Sequence, residues 1–285
     1  MRGSGGEGGE QGNAGPNTRY IFGFTEGADT EPQGEKEIES DTIGRFRKRG
    51  GTYAALGSKS EFEYGVTDNL LFEFGTNVSY YRIKNVPDLN NRTAAAFDGF
   101  STELKYRFLS RATAPIGLAA SIESGYSRYS ETSGQRENRY SLELKLYADA
   151  ELIPGRLYIA GNVLFEPEVV YSNKLNGDTG LISTNFERES TFGASGALAF
   201  AVTNRVFLGG EVRYLSQYQG NFLNKLEGRG LFVGPTLSVR LLPNALIQAA
   251  YSVQVAGKAQ DEPDRRLDLV NFQRHQARLR FVYEF

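Results

Sequence analysis

Short turns and long loops alternate along this chain, and that alternation restricts the fold more tightly than any other feature. The short connections are TDN (67–69), SRATAP (110–115), IPGR (153–156), TNR (203–205) and PNA (243–245). Between them come long polar segments at 84–99, 130–138, 172–188, 219–227 and 258–273. RKRGG (47–51) is the one short exception among the long set. The intervening segments read as strands at 35–46, 52–66, 70–83, 100–109, 116–129, 139–152, 157–171, 189–202, 206–218, 230–242 and 246–257, with a terminal strand ending at Phe285. Many exceed the ~5–6 residues usual for soluble strands. About twelve antiparallel strands joined in this way predict an up-and-down barrel with one short-turn end.

Side chains alternate faces along a strand, so the two parities can be read separately. One parity is apolar: Phe62 and Tyr64, Phe72 and Phe74, Leu104, Tyr106 and Phe108, Leu142, Leu144 and Leu146, then Leu279, Phe281, Tyr283 and Phe285. The other is charged, and supplies the lumen and ligand-binding candidates. They are Glu37, Glu39, Asp41, Glu61, Glu63, Glu73, Glu103, Lys105, Arg107, Glu143, Lys145, Arg213, Arg240, Arg278 and Arg280. Side chains of one face cannot easily fill a barrel of twelve strands. Turning the apolar face to lipid and the charged face to a wet lumen removes the difficulty. The expected fold is therefore all-β: a transmembrane antiparallel β-barrel in a bacterial outer membrane, with both termini periplasmic because the strand count is even. Outer-membrane lipid and lipopolysaccharide would surround it.

Composition excludes other classes. Mean hydropathy is -0.41, and no run of about 20 apolar residues exists to cross a bilayer as a helix. Cysteine is absent and the net charge is -2, so neither a thiol-based site nor a nucleic-acid-binding field is expected. No cofactor or metal is expected. The lone His275 shares the outward parity, which argues against a histidine-dependent membrane enzyme. NKLNGDTG (173–180) offers oxygen ligands but lacks the closing Glu of a calcium loop.

Residues 1–17 read as a disordered leader whose first four residues look like an expression scar. They hold no apolar signal-peptide region, so export implies a targeting segment already removed. Residues 18–34 are apolar enough to be ordered, yet a thirteenth strand would spoil the parity; a plug or a segment packed in the periplasmic mouth is expected. The barrel proper spans 35–285.

The ending RLRFVYEF, with Phe281, Tyr283 and Phe285 on one face, resembles the C-terminal signal read by the outer-membrane assembly machinery. GEKEIE (34–39) and SEFEYGVTDNLLFEF (60–74) resemble the opening hairpins of outer-membrane transporters of the phenol-degradation type. That resemblance implies a transport role and a hydrophobic solute. The charges themselves imply a channel for small solutes with a net acidic lumen. The alternative is a structural barrel, closed by its salt bridges, that docks another envelope protein. Closing the barrel should set Arg278 and Arg280 against Glu37, Glu39 and Asp41.

Overall fold

A computed structural model of the chain describes residues 16–175 and 182–285. Twelve strands follow one another: β1 (Lys36–Phe46), β2 (Thr52–Thr67), β3 (Leu70–Lys84), β4 (Arg92–Leu109), β5 (Ile116–Tyr129) and β6 (Arg136–Ile153). They continue as β7 (Leu157–Leu175), β8 (Ile182–Thr203), β9 (Val206–Gln219), β10 (Lys225–Leu242), β11 (Ala245–Ala259) and β12 (His275–Glu284). Each pairs antiparallel with its neighbours in sequence, and β1 pairs with β12 to close the barrel. Closure leaves no sheet edge, so every strand's backbone groups find partners within the ring.

The two parities separate as the alternation requires. Phe62, Phe74, Leu104, Leu144, Leu198, Leu237, Leu279 and Phe281 are exposed on the outer surface. Glu37, Glu39, Glu61, Glu63, Glu73, Glu103, Lys105, Arg213, Arg278 and Arg280 are buried on the inner one. His275 stays on the outward parity, its ring stacked on Tyr251 with Nδ1 2.8 Å from the phenol oxygen.

Several strands run further toward the long-loop end than hydropathy suggests. β4 begins at Arg92 rather than 100, β8 at Ile182 rather than 189, and β10 at Lys225 rather than 230. Beyond the apolar belt both faces are wet, so the hydropathy alternation fades while the cross-strand hydrogen bonds persist. The oxygen-rich stretch at 173–180 lies outside the residues whose side chains are described, as does most of the leader.

At the seam, Asp41 faces Arg280 and Glu39 faces Val282. Arg280 lies 2.7 Å from Glu39, while Arg278 reaches Asp41 at 2.8 Å. Glu37 departs from expectation: it sits opposite Glu284, near the end of the strand pair, beyond the reach of either arginine. Its partners come instead from the N-terminal segment. Arg278→Glu sets a carboxylate beside Asp41 in a buried site, and breaking such a pair costs about 3–5 kcal/mol. The heated protein should then lose its folded gel mobility at a clearly lower temperature, and Asp41→Lys should restore part of the loss. Unchanged heat resistance would show that the seam pair contributes nothing.

Candidate functional site

The strand registers assemble the inward acids into a ladder. Glu37 faces Glu63, Glu63 faces Glu73, Glu73 faces Glu103, Glu103 faces Glu123, and Glu123 faces Glu143. Six glutamates on six adjacent strands thus stand in five direct cross-strand pairs. Strands of a closed barrel are tilted, so a row perpendicular to them climbs along the axis. Glu37 is one residue in from the short-turn end of β1, whereas Glu143 is ten residues in from that end of β6. The ladder therefore rises from one mouth into the bore. Like charges directly opposed across strands are destabilising, by a few tenths to about 1 kcal/mol per pair. Something must offset five such pairs.

Part of the offset is basic. Lys59 lies 2.6 Å from both Glu61 and Glu123. At the foot of the ladder, Arg19 bridges Glu31 at 2.9 Å, Glu73 at 3.2 Å and Glu37 at 4.0 Å, and pairs most closely with Glu63. One guanidinium therefore serves four carboxylates.

Arg19 belongs to residues 16–34, of which 16–31 run inside the bore at the short-turn end while Pro32–Gly34 are exposed at the mouth. Thr18–Tyr20 form a single 3-10 turn, with the Asn17 side chain accepting from Arg19 N. Ile21 and Phe22 pack on Tyr158, Ala160, Ala197, Ala199 and Phe207. Burying Ile21 and Phe22 is worth roughly 1.5–3 kcal/mol each. A buried segment with almost no secondary structure must still satisfy its backbone, and the wall's polar side chains do this. Glu211 accepts from Phe24 N (2.8 Å) and Thr25 N (3.1 Å), and Asp149 accepts from Ala28 N (2.8 Å). Asn162 bonds both the N–H and the C=O of Glu26, each at 2.8 Å. Gln248 donates to Phe22 O, Lys105 to Gly27 O and Arg278 to Gly23 O, at 3.0, 3.0 and 3.1 Å.

Charges pin the same segment. Glu26 lies 2.7 Å from Arg280, 3.0 Å from Arg278 and 3.2 Å from Lys145. Asp29 meets Arg111 at 2.5 Å. Burial would raise the Asp29 carboxyl, but Arg111 and two hydrogen bonds from Thr18 hold it below its ordinary range.

Above the segment the lumen opens into two adjoining cavities. The central one, about 300 Å³, is lined, among the described residues, by nine acids and seven bases. The outer one, about 480 Å³, is lined by seven acids (Asp41, Asp98, Glu123, Glu131, Glu143, Glu166, Glu168) and three bases (Arg45, Lys59, Arg139). Among the described residues, Glu143 and Glu166 carry no ion pair or hydrogen bond. Asn271, Phe272 and Gln273, from the last long loop, line the outer cavity too. Below the segment, a cavity of about 750 Å³ opens at the short-turn mouth, lined by Tyr20, Ile21 and Arg240 among others. It shares no lining residue with the central cavity, and residues 19–26 stand between them.

Most inward candidates converge on the central cavity, including Glu39, Asp41, Glu61, Glu63, Glu73, Glu103, Lys105, Glu143, Lys145, Arg213, Arg278 and Arg280. Arg107 and Arg240 instead sit at the short-turn rim. There Arg107 donates to Asp68 O at 2.6 Å and Arg240 to Pro243 O at 2.7 Å. Glu151 keeps the inward parity but lies in the open short-turn mouth, where it lines the lower cavity and accepts from Tyr158 Oη at 2.9 Å. Parity did not reveal Arg19, Glu26 or Arg111. The available signal was an Arg and a Glu set within the otherwise apolar stretch that opens at Thr18.

A family model described as a family of unknown function, DUF6662, matches residues 17–285. No curated protein matches the chain. Among solved structures, the COG4313 outer membrane channel from Pseudomonas putida F1 is similar at 14% identity and TM-score 0.58, covering 90% of this chain and 98% of that one. The beta domain of the Bordetella autotransporter BrkA is similar at 10% identity and TM-score 0.58, covering 89% and 100%. The translocator domain of the autotransporter NalP from Neisseria meningitidis follows at 10% identity and TM-score 0.54, covering 87% and 88%. At these identities the likeness is one of fold.

Proposed function

The chain belongs to DUF6662, a family of unknown function, and we propose that it is an outer-membrane channel for small cationic solutes, occluded at its periplasmic mouth by residues 16–34. The observation that carries this reading is the outer cavity, where seven acids face three bases. Charged groups lining a confined path select ions by sign. The apolar outer surface, exposed on strand after strand, supports residence in a bilayer, since soluble proteins rarely expose so continuous an apolar area. With the short turns periplasmic, both termini lie on that side.

The resemblance of residues 34–39 and 60–74 to transporters of the phenol-degradation type adds a transport role. The polar, charged lining favours hydrated cations over aromatic solutes. A second reading, a structural barrel that docks an envelope partner, draws on the dense bonding that fixes residues 16–34 to the wall. Planar-bilayer recording separates the two. The full chain should pass a small current, and its reversal potential under a potassium chloride gradient should show cation preference. Anion preference would refute the acidic-lumen reading, and no conductance, even without residues 1–34, would favour the structural barrel.

A further inference from the structure

At the foot of the ladder, Glu37, Glu39 and Glu63 each offer a carboxylate oxygen, and these oxygens all lie within 4.8 Å of one another. The three residues are no more than 1% exposed. Glu37 accepts from Tyr20 Oη through one oxygen, while its other, Oε2, is buried without a hydrogen-bond partner. Glu39 Oε1, by contrast, is paired, lying 2.7 Å from Arg280 Nε. A buried carboxylate oxygen left unpaired is costly, so native structures rarely leave one without a partner. Charge points the same way, because among the described residues Arg19 alone forms ion pairs with Glu31, Glu37, Glu63 and Glu73.

We propose that Glu37, Glu39 and Glu63 form a divalent-cation site of the calcium class, reached along the carboxylate ladder. The donor set is oxygen alone, which suits hard cations rather than zinc or copper. Calcium takes oxygen ligands at about 2.3–2.6 Å in irregular geometry. Two such ligands on opposite sides of one ion are therefore up to about 5 Å apart, the scale of this cluster. Magnesium keeps several waters and demands a near-octahedral shell, for which a fully buried cluster is ill suited. Glu39 and Glu63 also line the central cavity, so an ion descending past Glu143, Glu123 and Glu103 meets them directly. Arg19 pairs with two of these carboxylates, Glu37 and Glu63, so metal and guanidinium compete for the same negative charge. Calcium therefore loosens the grip of residues 16–34, and by linkage the absence of Arg19 tightens calcium binding.

The site goes beyond the channel reading and is tested separately from it. Full-length protein refolded in lipopolysaccharide-free detergent is titrated with calcium by calorimetry, and with terbium, whose luminescence the adjacent Tyr20 sensitises. One saturable site per chain is expected, with calcium displacing terbium. Glu37→Gln and Glu63→Gln should each weaken binding roughly tenfold or more by removing one of three charged ligands. Arg19→Gln should strengthen it. Heat-dependent gel mobility verifies that each variant is folded; should one glutamine variant not fold, the other and Arg19→Gln still decide. No saturable calcium binding, or glutamine variants that bind like wild type, would overturn the site. A chain that conducts without binding calcium defeats this inference alone, and one that binds without conducting defeats only the channel reading.

Discussion

Removal of residues 1–34 should raise single-channel conductance several-fold while leaving the barrel folded. The twelve strands hydrogen-bond in a closed ring to which residues 16–34 contribute no strand. Residues 19–26 lie between the central cavity and the cavity at the short-turn mouth, so deletion joins the two. The wall side chains left behind can be hydrated, because the widened bore admits water to them. Gly27→Leu should act in the same direction. A Cβ there would stand 2.6 Å from an Asp149 oxygen and closer still to Thr18, so the segment cannot dock unchanged. Bilayer recording and heat-dependent mobility together decide the matter. Unchanged conductance in a folded truncation would show that the segment does not obstruct the path.

The second large effect concerns selectivity. Replacing Glu103, Glu123 and Glu143 by Gln removes three acids from a central lining of nine acids and seven bases, leaving bases in excess. The reversal potential of the triple variant should move clearly toward zero relative to wild type, the outer lining keeping five of its seven acids against three bases. Wild-type preference should itself shrink in concentrated salt, as the screening length falls from about 8 Å at physiological ionic strength to about 3 Å at 1 M. If the triple variant keeps full cation preference, the ladder is not on the path.

How much of this was legible in the residues depends on the kind of information required. Period two alone assigns Leu104 outward and Glu103 inward, since a strand has only two faces. The strand count follows from turns such as TDN and TNR, whose shortness forces antiparallel neighbours. The ladder was not legible. That Glu103 faces Glu123, rather than merely sharing its side of the sheet, depends on register, and bulges such as the one between Arg107 and Leu109 shift it. The ends of β4, β8 and β10 were hidden for another reason: beyond the apolar belt, hydrogen bonding continues without a hydropathy signal. Arg19 was hidden most deeply. Nothing in the local sequence says that it will meet Glu63 and Glu73, more than forty positions away.

The partners of residues 16–34 also fix an order of events. Phe22 is held by Gln248, 226 positions later in the chain, and Gly23 by Arg278, 255 positions later. Contacts so remote in sequence form slowly, because a long stretch of chain must be organised before they yield any gain. The docking groups come from β4, β6, β7, β9, β11 and β12, which share one interior only after the ring has closed. The segment that precedes the barrel in the chain is thus the last to find its place. Until then it stays undocked, open to a protease or a chaperone.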